Sequence, residues 1–74
     1  MNTQISTHAA RTALNRDPEL RDWAEEWLKR REREAQAAMS DEEFEKHWRS
    51  VRPERFHEGA VEAVAAYRQQ SHEK

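Results

Sequence analysis

Glu54 and His57 stand three residues apart, the Glu-x-x-His spacing that puts two metal ligands on one helical face, as in di-iron carboxylate bundles. Such centres need two of these pairs and further glutamates, and the chain has no second Glu-x-x-His. Glu43 and His47 share a face only through ordinary i, i+4 geometry. His57-Glu58 opens a zinc-protease pattern, but the second histidine would fall at position 61, which is Val61. The histidines are therefore expected to be solvated or capping groups, with no metal bound. Nucleophilic catalysis lacks its parts as well. There is no cysteine, and no serine or histidine sits in a nucleophile-elbow context. The carboxylates are expected on solvated faces, where nothing would raise their pKa for acid–base work. One glycine cannot build a phosphate-cradling loop. The expectation is a protein that is not an enzyme, with no catalytic residues and no cofactor.

The elements that would position such groups are helices. One glycine and two prolines in 74 residues leave little for tight turns, while Ala, Glu, Arg, Gln and Lys favour helix. A first short helix is expected from Ser6 or Thr7 to about Arg16, with Ile5, Ala9, Ala10, Ala13 and Leu14 as a weak apolar side. Asp17-Pro18 then places a capping side chain before a proline at the first helical position, where the missing N–H costs nothing. The second helix is expected over about 18–39, with Leu20, Trp23, Ala24, Trp27, Leu28 and Arg31 on one face. Pairs such as Glu25–Lys29, Glu26–Arg30 and Arg30–Glu34 would support its back half. Ser40-Asp41-Glu42-Glu43 reads as a capping box, with Met39 and Phe44 placed as a hydrophobic staple. It opens a third helix over about 41–51, stopped or kinked at Arg52-Pro53. A fourth over about 54–70 would bury Phe56, Ala60, Val64 and Tyr67, with Gly59 a weak point that could divide it.

Charge patterning offers two kinds of binding surface. Lys29, Arg30, Arg31 and Arg33 put four cations in five residues and would be the contact of a nucleic-acid-binding regulator. The same helix opens with Asp17, Glu19, Asp22, Glu25 and Glu26, so the run equally complements a helix dipole. The last helix would present Glu54 and Glu58 where phosphates would lie, and the formal net charge is -2. The preferred reading is a protein interface. Trp23 and Trp27 are i, i+4 neighbours with Arg30 and Arg31 beside them, and Trp and Arg are the residues most enriched at binding hot spots. Asp41, Glu42 and Glu45 form an acidic knob that either docks on a basic partner or simply furnishes an acidic first turn. Alanines at 35, 37 and 38, and at 60, 63, 65 and 66, would let helices approach closely, within the chain or in a homodimer.

Composition limits the core. Eleven alanines outnumber the nine Ile, Leu, Val and Phe together, so three tryptophans, two phenylalanines and a tyrosine must supply bulk. The expected fold is all-α: a single domain over 1–74, with 1–5 and 71–74 frayed. The long second helix would pack on an antiparallel pair formed by the third and fourth, around Leu20, Trp23, Trp27, Leu28, Phe44, Trp48, Val51, Phe56, Val64 and Tyr67. No run approaches the length of a membrane span, and the lack of cysteine suits the cytoplasm. Arg11, Arg16 and His8, with no acid in the first sixteen residues, faintly resemble a transit peptide or basic arm. In size and charge-rich helicity the chain is similar to accessory proteins of phages and mobile elements, including anti-CRISPR and antirestriction inhibitors. That similarity is generic, and no motif matches one family. It implies an adaptor or stoichiometric inhibitor of a larger protein. A dimeric nucleic-acid-binding regulator is the second reading.

Overall fold

Asp17 makes the whole connection between the first two helices of the computed structural model, which describes residues 6–72. Helix α1 (Thr7–Arg16) starts at Ser6, whose hydroxyl accepts from the Ala9 N–H at 3.1 Å, and ends where the Asp17 N–H donates to the Ala13 carbonyl. The Asp17 carboxylate then accepts from the N–H groups of Glu19 and Leu20, with Pro18 at the first position of α2 (Pro18–Ala35). One residue closes one helix and opens the next, so α1 and α2 meet at a sharp corner without a loop. Ile5 and the remaining expected frayed residues 1–4, 73 and 74 lie outside the described residues.

Helix α2 stops four residues before the expected end at 39. The Gln36 N–H still bonds to Glu32, but Arg33 donates to the Gln36 carbonyl, and the Met39 N–H returns to that same carbonyl. The next helix begins with the expected capping box. The Glu43 N–H donates to Ser40 Oγ at 3.2 Å, and the Ser40 N–H donates to Glu43 Oε1 at 3.1 Å. Phe44 is buried, and Met39 packs on the core from the other side of the cap.

The expected antiparallel pair is corrected: α3 runs unbroken from Asp41 to His72 with Pro53 inside it. A proline removes only one backbone donor, and Arg52-Pro53-Glu54 offers no glycine, asparagine or aspartate to complete a tight reversal. Gly59 does not divide it either. The described residues therefore form three helices, and α2 packs on both halves of α3. One edge of α2 meets the first half through Glu25–Arg52, Lys29–Glu45 and Arg33–Asp41. The other meets the second half through Glu32–Arg55, Arg31–Glu62 and Leu28 over Gly59. Glu25 and Lys29 thus pair across helices instead of with each other, and Glu26, Arg30 and Glu34 have no ion pair among the described residues.

The core is also corrected. Leu20, Leu28, Phe44, Trp48 and Val64 are buried as expected, but Trp27, Val51, Phe56 and Tyr67 only flank it and Trp23 is half-buried. Ala10, Leu14, Ala24, Ala60 and Ala63 complete it. Four of these ten buried residues are alanines, and helices that touch through alanine and glycine approach more closely than larger side chains permit. Gly59 is where this closeness matters most: a Cβ built there would lie 2.7 Å from Leu28 Cδ2. Gly59→Ala would gain about 1 kcal/mol of helix propensity but lose about 1–3 kcal/mol to overpacking against buried Leu28. The expected result in urea unfolding is a net loss of about 1 kcal/mol. A gain instead would mean that Leu28 is not seated on Gly59.

Candidate partner-binding surface

Leu20, Ala24, Leu28 and Glu32 follow one another at four-residue intervals and form the buried line of α2. A carboxylate thus takes the fourth place in an apolar row, with only 7% of its side chain exposed. Two donors justify it. Arg55 Nε donates to Glu32 Oε1 at 2.8 Å, and His47 Nε2 donates to Glu32 Oε2 at 2.5 Å. The expectation that all carboxylates would be solvated fails here. The Arg55 hydrogen bond, then that of His47, outweigh burial and lower the Glu32 pKa from 4.5 to about 2. This is the opposite of what a general acid needs. The arrangement holds a buried anion between the Arg55 guanidinium and an imidazole N–H, which is structural chemistry.

The side chains weighed as metal ligands have other neighbours. His47 is engaged with Glu32, His57 accepts from Arg11 at 3.2 Å, and Glu54 lies 4.0 Å from Arg55. No group of three or more His, Cys, Asp or Glu side chains able to hold a metal occurs among the described residues. Nor is any helix among them long and apolar enough to cross a membrane.

The proposed basic segment is divided by its own ion pairs. Lys29 reaches Glu45 at 2.9 Å, Arg31 reaches Glu62 at 3.2 Å and Arg33 reaches Asp41 at 3.2 Å. Arg30 alone of the four is without such a partner among the described residues. The same pairs draw Asp41 and Glu45 of the acidic knob toward α2, while Glu42 stays exposed. Knob and basic segment are thus joined by ion pairs between side chains that stay largely exposed.

Trp23 and Trp27 remain at the surface. Their rings stack with centroids 6.1 Å apart and planes 17° from parallel, and Tyr67 of α3 meets Trp23 edge-on at 5.3 Å. Arg31 lies 4.8 Å over the Trp27 ring, a cation–π contact that covers one side of the pair. Beside them an open hollow is lined by Asp22, Trp23, Glu26, Trp27, Arg30 and Gln70. A second hollow follows from Glu26 and Arg30 to Lys29, Arg33, Asp41, Phe44 and Glu45. Of the expected partner-binding residues, Trp23, Trp27, Arg30 and Arg31 are therefore brought together, and Asp41 and Glu45 join them through Arg30. The chain matches no known protein family, no curated protein and no solved structure.

Sequence reasoning missed Glu32, Arg55 and His47 as a group. The signal was present, since Glu32 continues the Leu20–Ala24–Leu28 spacing and is the lone acid within the basic run. Because the Glu32 pKa is lower in the folded protein than unfolded, its stabilising effect is complete above about pH 4.5 and is lost as pH falls toward 2. Glu32→Gln should cost about 1–2 kcal/mol at pH 7, after allowing for solvent screening, and should flatten the stability profile between pH 4.5 and 2. Urea unfolding across that range checks both; an unchanged profile would mean that the carboxylate is not held by Arg55 and His47.

Proposed function

We propose that this protein acts by binding a larger protein partner without turnover, as an adaptor or stoichiometric inhibitor. The observation that carries the reading is the stacked Trp23–Trp27 pair left half-buried beside Arg30. In a chain so poor in leucine and isoleucine, moving two tryptophans inward would be the direct way to enlarge the core. The core is instead completed with alanines, and the largest apolar side chains of α2 stay accessible. Tryptophan beside an arginine free of internal ion pairing is the composition of a binding hot spot. Arg30 favours a partner that presents a carboxylate next to an apolar side chain able to lie against the indoles.

The dimeric nucleic-acid-binding alternative finds less support. Lys29, Arg31 and Arg33 each have an acidic partner within the chain, so phosphate contact would have to break three ion pairs.

Two measurements test the reading. In the isolated protein, acrylamide should quench Trp23 and Trp27 and spare Trp48, which is only 3% exposed; protection of all three would remove the proposed surface. A photo-crosslinking residue in place of Glu26, which lines both hollows, should yield one discrete protein adduct in source cells. Trp23→Ala or Arg30→Glu should abolish that adduct. Trp23→Ala should lower stability by only about 1 kcal/mol, because the half-buried ring is largely free of the core, against about 3–5 for Trp48→Ala. An adduct that survives both substitutions would overturn the assignment.

A further inference from the structure

Where α1, α2 and α3 converge, a hollow of about 210 Å³ is lined by Arg11, Leu14, Asn15, Arg21, Pro53, Phe56 and His57. The chain carries 15 acidic against 13 basic side chains, yet no carboxylate lines this hollow. Three other surface hollows each contain at least two acids among their own cations. Arg11 and Arg21 are also outside the ion-pair lattice that engages Lys29, Arg31, Arg33, Arg52 and Arg55, so no ion pair within the described residues satisfies them. The reason is local. Helix α1 contains no acid, so nothing on its own surface can pair with Arg11.

Arg11 is nonetheless directed. Its Nη2 lies 3.2 Å from His57 Nε2, and since a guanidinium can only donate, the ring nitrogen accepts. This uses one of five N–H groups and leaves the rest of the fork free. The same hollow has an apolar part, Pro53, half-buried Phe56 and buried Leu14, with the Arg52 guanidinium 5.8 Å from the Phe56 ring centre. Guanidinium forks match the paired oxygens of phosphates and carboxylates, and an adjoining apolar wall suits a flat hydrocarbon body.

We propose that this hollow is a binding site for a small oxyanion carried on an apolar or aromatic group. Arg11 and Arg21 hold the oxyanion, His57 orients Arg11, and Phe56 and Pro53 support the body. The site lies apart from the Trp23–Trp27 surface and stands independently of the reading proposed for it.

The test is a titration of isotope-labelled protein with phenyl phosphate, benzoate, inorganic phosphate and benzyl alcohol, followed by NMR. The Arg Nε–Hε signals and the amides of residues 53–57 are the readout. Phenyl phosphate or benzoate should shift the Arg11 and Arg21 signals saturably, and the tighter of the two identifies the oxyanion. Inorganic phosphate should bind about tenfold more weakly for want of an apolar body, and benzyl alcohol should not saturate. Arg11→Gln with Arg21→Gln should abolish the saturable shifts, while Arg16→Gln, outside the hollow, should leave them intact. Both arginines are exposed, so melting temperatures should not change; Arg21→Lys provides a second variant that keeps the charge and loses the fork. Three outcomes would overturn the proposal: no saturable shift with either aromatic anion, shifts retained in the double variant, or equal shifts at Arg16, Arg49 and Arg68.

Discussion

Glu32 ties together what Pro53 could have separated. Its two carboxylate oxygens receive His47 from the first half of α3 and Arg55 from the second, six and two residues either side of the proline. Pro53 removes one donor from the helix and weakens it at that point, so an external brace across it has a clear physical use. A buried carboxylate is costly in isolation, and removing one partner from such a group costs more than the group contributes when complete. Here both oxygens are matched by donors, the Arg55 guanidinium and the His47 ring N–H. These two bonds tie α2 to both halves of α3 in one register.

The same arrangement explains why α3 is one helix with two apolar faces. Phe44, Trp48 and Val51 lie along one line, whereas Phe56, Ala60, Ala63, Val64 and Tyr67 lie along another, turned by roughly a third of a turn. The change of face falls at Arg52-Pro53. Helix α2 must therefore be contacted on two edges, and it is: Glu25, Lys29 and Arg33 engage the first half, Leu28, Arg31 and Glu32 the second. With both edges of α2 occupied in this way, its Trp23–Trp27 side is left outward. The aromatic surface follows from the packing as much as from the residues that form it.

Much of this was legible in the residues. The Asp17-Pro18 corner, the Ser40–Glu43 box and the helical character are local, set by side chains within three or four positions of the backbone groups they cap. The continuity of α3 was not legible, because a proline beside a change of apolar face reads the same whether the chain turns back or the helix simply rotates its contacts. Trp23 and Trp27 were legible as neighbours on one helix face, but that spacing suits a core stripe and a binding stripe equally, whereas Trp48 is buried as expected. Alanine, which carries little hydrophobic signal, filled the core instead because it allows close approach. Glu32 was read with its charged neighbours although its spacing from Leu20, Ala24 and Leu28 placed it inside.

A chain with few large aliphatic residues can fold by two routes, enlarging the core with its aromatics or bringing backbones together and letting ion pairs fix the register. This protein takes the second. Gly59 and the alanines at 24, 60 and 63 set the separation, and cross-helix pairs around Glu32 set the alignment. The route binds most of the cations of α2 internally, which is why a dense basic run does not amount to a free basic surface. It also determines which charges remain available. Arg30 lies beside the half-buried indoles, and Arg11 and Arg21 line a hollow with no carboxylate among the described residues. Binding capacity in so small a helical protein is thus what its stabilising lattice leaves unmatched.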